Sequence, residues 1–271
     1  MSEATPFGIY LHIPYCKAKC RYCDFYSVPG ARGVPQSYVD ALLRELAKID
    51  GIRWIRILYA YPERISDAFI AAMVRNTKVV PYLDLPIQHC DDAVLKAMNR
   101  RGGRKEIEDA IARLRAAIPG ITLRTTLIAG FPGETEEQYA ELCDFVKTVR
   151  FDRLGCFAYS AEENTVAAKM PNQIDEETKQ RRADHIMELQ AEVSAEREGE
   201  KVGHTYECIC DGVDDETGMY LLRTKADCPE IDGNVLTPAD TPLETGAFYK
   251  VTITDSDTYD LYGYAEERLE D

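Results

Sequence analysis

The chain has 271 residues, 45% of them hydrophobic and 29% charged, an ordinary globular composition with enough apolar material for one or two packed domains. No apolar run approaches the roughly 18 residues of a membrane span, and residues 1–6 lack the basic and apolar regions of a signal peptide, so the cytoplasm is the expected location and the nine cysteines are expected to be reduced thiols. The net charge of −15 argues against a protein that coats nucleic acid; from Gly199 to Asp271 eighteen acids face five bases, so the charge breaks where a second domain would begin.

In chain order, Phe7 to Ile13 is a short β-rich run stopped by Pro14. Gln36 to Lys48 places Val39, Leu42, Leu43 and Leu46 at helical spacing, with Pro35 in the first turn. Trp54 to Tyr59 is a strand, Ser66 caps a helix to Arg75, and Tyr82 to Ile87 is a buried strand. Helices at Asp91 to Met98 and Lys105 to Ala117 lead to a strand at Thr122 to Ala129. After Gly130 and Gly133, a helix at Glu134 to Val149 precedes a strand at Leu154 to Tyr159. This alternation predicts a parallel sheet, either doubly wound or an incomplete barrel. Asp175 to Glu198 is a long, highly charged connecting helix. Beyond it, Val202 to Cys210, Tyr220 to Thr224, Phe248 to Thr254 and Leu261 to Ala265 are short strands separated by turns such as Asp232-Gly233-Asn234. They predict a small antiparallel barrel. The expected organisation is a first domain over 1–174, a connecting helix over 175–198 and the small barrel over 199–271.

Cys16, Cys20 and Cys23 lie within eight residues. Thiolate sulfur suits zinc or iron–sulfur clusters, but both normally want four protein ligands. No fourth Cys or His lies nearby at ligand spacing, and His12 alternates with Ile9, Leu11 and Ile13 on the preceding strand. Three thiolates on a cubane leave one iron open to a cofactor. Cys90, Cys143, Cys156, Cys208, Cys210 and Cys228 read as core or incidental thiols.

The CxxxCxxC spacing, with Tyr22 before the last cysteine, resembles the signature of the radical SAM superfamily. The resemblance implies a 4Fe-4S cluster on Cys16, Cys20 and Cys23, with S-adenosyl-L-methionine (SAM) on the open iron and a reducing electron donor. Residues 7–48, with IYLHIPYCKAKCRYCDFYS, resemble the coproporphyrinogen oxidase and HemW family. Residues 54–268 are similar to the methylthiotransferases, most of all the RimO branch that modifies an aspartate of a small-subunit ribosomal protein. The text that carries this likeness includes VVPYLDLPIQHCDDAVLKAMNRRG, LRTTLIAGFPGETEEQY and DCPEIDGNV. It implies an incomplete TIM-like parallel β/α barrel followed by a TRAM domain, a barrel similar to an OB fold.

The same likeness marks the cofactor-binding candidates as Tyr22, Gln88, Arg124, Gly130, Glu134 and Phe157. Gln88 and His89 would end a strand at the ligand-facing rim. The glycines of Gly130-Phe-Pro-Gly133-Glu134 would let backbone approach the ligand beside a helix N-terminus. Arg124 either pairs with the SAM carboxylate or makes a salt bridge at the sheet edge.

The acidic barrel is a poor match for phosphates and a better one for a basic ribosomal protein. Direct nucleic-acid or membrane binding is not expected, and the chain is expected to be a monomer. Both related families place a strand and helix between residues 48 and 54, and the methylthiotransferases carry an N-terminal domain with a second cluster. Sulfur insertion is therefore expected to be impaired. Two alternatives carry different expectations: a non-catalytic acidic module that docks a basic protein, and a haem- or porphyrin-handling protein.

Overall fold

A computed structural model describes residues 19–23, 49, 51–238, 240 and 242–270. The expected strand at 7–13, the expected helix at 36–48 and Cys16 lie outside the described residues.

Four parallel strands, β1 (Ile55–Ile57), β2 (Val79–Asp84), β3 (Thr122–Ala129) and β4 (Arg153–Ala158), pair in sequential order. Helices α1 (Asp67–Arg75), α2 (Asp92–Ala97), α3 (Arg104–Ala117) and α4 (Glu136–Val149) join them, and α5 (Glu176–Gly199) follows β4. A doubly wound sheet reverses its strand order at a switch point. Among the described residues the strand order does not reverse, as in a partial barrel.

Local chemistry sets the helix starts. Ser66, Asp91, Thr135 and Asp175 each accept a hydrogen bond from a first-turn backbone N–H, which satisfies donors that no helical carbonyl can reach. Thr135 and Gln138 form a reciprocal capping box, so α4 begins at Glu136 rather than at Glu134. The regular ladder of β2 stops at Asp84, earlier than expected, because Pro86 has no N–H to give it. The chain nevertheless stays joined to β3 as far as Gln88, whose N–H donates to Thr126 at 2.9 Å and whose carbonyl accepts from Ile128 at 2.8 Å.

Alternate residues of a strand face opposite sides. Leu123, Leu127 and Ala129 of β3 join Leu83, Leu85 and Ile87 in a buried core with Ile111 and Leu114 of α3, Leu142 and Val146 of α4, and Ile186 of α5. The other face carries Tyr82, Asp84 and Arg124.

The expected connector, α5, is a packed layer as well as a link. Its buried residues include Lys179, Arg182, Ile186, Gln190 and Glu198. Gln190 donates to the Phe151 carbonyl at 3.0 Å, and the Cys156 N–H points at the Met187 sulfur at 3.2 Å.

Strands β5 (Thr205–Val213), β6 (Tyr220–Thr224), β7 (Val235–Thr237), β8 (Phe248–Ser256) and β9 (Leu261–Leu269) close in the order β5-β6-β7-β9-β8. Cys208, Cys210, Leu222, Val235, Val251, Ile253 and Leu261 fill the interior. The barrel is not wholly antiparallel: β7 pairs parallel to β9.

Buried charge seats this barrel on the first sheet. Arg153, at the start of β4, donates to Glu198 of α5 at 2.5 Å and to Asp227 of the barrel at 2.6 Å. Lys201 holds the other Glu198 oxygen at 2.8 Å, and Thr224 gives Asp227 its backbone N–H and its hydroxyl. Beside it, Tyr82 donates to Asp232 of the barrel at 2.8 Å, and Arg124 lies between Asp84 at 3.2 Å and Asp232 at 3.7 Å. Burial would raise the Asp227 carboxyl, but Arg153, Lys201 and Thr224 outweigh it and hold it below the usual range.

The folded state therefore takes up that proton less readily than the unfolded chain. The stabilisation is present above the ordinary carboxylate pKa of about 3.9 and is lost as pH falls through the lower folded value. Asp227→Asn should cost about 1.5–3 kcal/mol, the range for a lost charged hydrogen bond. Urea unfolding at pH 7 should show this, and the variant should lose part of the wild-type fall in stability below pH 4.

Candidate functional site

The carboxyl ends of β2, β3 and β4 continue into three segments, and the described part of the cysteine loop docks on two of them. The Arg21 N–H donates to the Met98 carbonyl at 3.1 Å, just beyond α2. The Arg21 carbonyl accepts from Ala167 at 3.1 Å, in the segment after β4, and Asn99 donates to the Lys19 carbonyl at 2.9 Å. Tyr22 packs against the buried cluster of Val94, Met98, Phe131, Tyr159 and Ala167. The loop therefore sits at the end of the strands where parallel β/α barrels keep their ligands.

Cys20 and Cys23 are half-buried cysteines in one tight turn, with the Cys23 N–H 3.3 Å from the Cys20 carbonyl. This donor set fits an iron–sulfur cluster: two soft sulfur donors close together in one half-buried turn. Arg100 stands beside it, donating to the Pro86 carbonyl at 2.7 Å. Burial would lower the Arg100 pKa, but Tyr22 and Cys20 outweigh it and raise it. Burial, against the pull of Arg100, pushes the Tyr22 phenol well above its usual value. Among the described residues no three His, Cys, Asp or Glu side chains converge on a metal position. Cys90, Cys143, Cys208, Cys210 and Cys228 are buried, and burial pushes the Cys90 thiol up to about 12.

Three of the other sequence-predicted positions come together at the rim. Gln88 bridges to β3, Ile128 pairs with Phe157 across the β3–β4 ladder, and Gly130 follows β3 directly. Gln88 holds a left-handed φ of 71°, a strained choice for a non-glycine residue that the hydrogen bonds on both sides enforce. The Phe157 side chain is 60% exposed, a large aromatic surface beside the rim.

Glu134 and Arg124 are placed differently. The Glu134 side chain is fully buried and turned inward. It accepts the Gly130 N–H on both oxygens, at 3.1 and 3.0 Å, and faces Arg182 at 2.7 Å and His89 at 3.4 Å. Arg124 lies four residues before Ile128, or about 13 Å along the strand. It is engaged by Asp84 and by the barrel's Asp232, which is the salt-bridge arrangement.

The two rim glycines also differ. Gly130 has φ 76°, and a Cβ there would lie 2.3 Å from Lys179 of α5, so this glycine serves helix packing. Gly133 has φ 86° and a Cβ there would meet nothing, so its glycine answers the left-handed backbone alone; its N–H donates to the Asn172 carbonyl at 3.0 Å.

Two family models match the chain: the radical SAM superfamily over residues 35–146 and the TRAM domain over residues 202–265. The chain carries a radical SAM domain and a TRAM domain. It is 47% identical over 231 residues to the ribosomal protein uS12 methylthiotransferase RimO of Pelobacter propionicus, covering 85% of this chain and 51% of that protein. The RimO of Desulfitobacterium hafniense is 47% identical over 83% of this chain and 50% of its own length. That of Clostridioides difficile is 46% identical, with the same two coverages. The chain thus spans about half the length of the curated relatives it matches. Among solved structures, the coproporphyrinogen III oxidase HemN of Escherichia coli, a radical SAM enzyme, superposes with a TM-score of 0.55 at 18% identity. It covers 68% of this chain and 52% of that one, a likeness of fold. No helix among the described residues is long and apolar enough to cross a membrane.

Residue-level reading of the sequence missed Arg100, Asn99, Lys179 and Arg182. Asn99 did carry a signal: an Asn just past a short helix is a common left-handed terminator, and its φ is 61°. The other three are long basic side chains whose burial only the fold reveals.

Two outcomes follow from this geometry. Gly130→Ala should destabilise the chain more than Gly133→Ala, because it adds a clash with Lys179 to the cost of about 1 kcal/mol for the left-handed backbone, and thermal unfolding of both variants reads the difference. Replacing Cys20 and Cys23 together by Ala should abolish iron retention after anaerobic reconstitution while leaving the circular dichroism of the two barrels unchanged.

Proposed function

We propose that this chain is the SAM-cleaving and substrate-docking part of a methylthiotransferase that acts on an aspartate of ribosomal protein uS12. The observation that carries the reading is the 47% identity to RimO over both the sheet and the barrel, joined to a thiolate turn on the ligand side of the sheet. Cys16, Cys20 and Cys23 would hold the 4Fe-4S cluster. With SAM bound and an electron from a reducing donor, such a cluster would supply reductive cleavage of SAM.

The protein's own part is positioning. Tyr22 and Arg100 line the thiolate turn. Exposed Phe157 gives an aromatic face for adenine. Arg124 would serve by holding the sheet to the barrel through Asp84 and Asp232.

The barrel's electrostatics favour a basic protein as substrate. Its five Lys and Arg each already face a carboxylate: Lys201 with Glu198, Arg223 with Asp211, Lys225 with Glu207, Lys250 with Glu267 and Arg268 with Glu244. An RNA-binding barrel needs unspent cations to track phosphates. Here the uncompensated charge is negative, which suits steering of a basic partner.

Anaerobic reconstitution, reduction and addition of SAM should yield 5′-deoxyadenosine, measured by liquid chromatography. Immobilised chain should also retain purified uS12, and 0.5 M salt should weaken that retention, since the Debye length falls to a few ångströms at about 1 M. A reconstituted chain that cleaves no SAM would rule out the catalytic reading. Retention of uS12 by a cluster-free Cys→Ala variant without SAM cleavage by the wild type would favour the docking module.

A further inference from the structure

Arg100 brings a half-buried positive charge to the cysteine turn. Its placement begins where α2 ends. Asn99 takes a left-handed φ of 61°, which stops the helix, and the Arg100 N–H turns back to the Leu95 carbonyl at 2.9 Å. The residues on either side of Cys20 are bound to this same stretch. Asn99 donates to the Lys19 carbonyl at 2.9 Å, and the Arg21 N–H donates to the Met98 carbonyl at 3.1 Å. Cys20 is thereby clamped beside the segment that carries Arg100.

Two contacts fix the guanidinium. Its Nη2 donates to the Pro86 carbonyl at 2.7 Å, just beyond β2. Its centre lies over the Tyr61 ring, 4.6 Å from the centroid, a cation–π contact. A carbonyl and an aromatic face orient a positive charge without neutralising it. Burial alone would lower the Arg100 pKa, but Tyr22 and Cys20, ahead of Glu63, oppose it and keep it raised. The cysteine turn is therefore a stronger electrostatic neighbour of Arg100 than that carboxylate is.

A cluster that takes up one electron gains one negative charge, and its potential follows the net charge and surroundings of its sulfurs. A fixed cation in a half-buried site favours the reduced form, because attraction there is screened less than in water. Arg101, next in the chain, is exposed, so solvent and salt screen it.

We propose that Arg100 tunes the reduction potential of the cluster held by the cysteine turn, making the cluster easier to reduce. This rests on the reading of Cys16, Cys20 and Cys23 as the cluster ligands. The step it favours moves one electron from a low-potential one-electron donor to the oxidised cluster. The donor is oxidised by one electron, the cluster is reduced by one, and no bond forms or breaks.

The test is a redox titration of the full chain, reconstituted anaerobically, without SAM, with electron paramagnetic resonance reading the reduced cluster. In the iron-loaded fraction, Arg100→Gln should make the midpoint potential more negative by about 59 mV, a tenfold change in a one-electron equilibrium. Arg100→Lys keeps the charge and should shift it less, and Arg101→Gln should leave it unchanged. If Arg100 only holds the loop, Arg100→Gln lowers iron per chain while the loaded fraction keeps the wild-type potential, which would overturn the proposal. An equal shift in Arg101→Gln would overturn it too. If Arg100→Gln retains no iron, Tyr61→Leu keeps the charge but removes the ring that pins it, and should still make the potential more negative; an unchanged potential there would overturn the proposal. A wild-type chain that retains no iron would instead overturn the cluster reading, before any variant is compared.

Discussion

The molecule depends on one helix whose buried charges are engaged at both ends. At the start of α5, Lys179 and Arg182 reach the strand ends through Tyr159 and Glu134. At its far end Glu198 meets Arg153, which also grips Asp227 of the small barrel. Between them Ile186, Leu189 and Val193 pack in the ordinary apolar way. Breaking either ionic end leaves a buried charge without its partner, which costs far more than the pair contributes. The ligand rim and the seat of the barrel are thus held by the same rigid element.

That arrangement gives the two units different tasks. The sheet offers a cysteine turn and an exposed aromatic at Phe157. The barrel has every basic side chain paired, so its surplus charge is acidic. The Asp227–Asp232 loop is where they join, through Arg153, Tyr82 and Arg124. The acidic barrel is thereby fixed relative to the rim.

Much of this could be read in the sequence, for reasons that differ by element. The strand at Thr122–Ala129 matches its expected bounds because Leu123, Leu127 and Ala129 fall on one face, with burial alternating from Leu123 onward. The helix cap was legible at Ser66, since a side-chain oxygen there compensates the same orphan donors in any context. Strand β7 went unseen because three residues ahead of Pro238 are too few to show a period. The packing role of α5 was hidden because Lys179, Arg182, Gln190 and Glu198 look solvent-facing by composition, and only their partners on distant segments allow their burial. For the same reason Glu134 reads as a ligand contact in a glycine-rich turn, whereas its carboxylate faces inward. Arg124 was legible as a choice between two roles, and the partner that engages it, Asp232, lies 108 positions along the chain.

The central claim is that the cysteine turn and the rim form one site that accepts SAM. Electron paramagnetic resonance of the reduced, reconstituted chain tests it directly. A 4Fe-4S signal whose shape shifts on addition of SAM is the predicted result. A cluster signal that SAM leaves unchanged would contradict it.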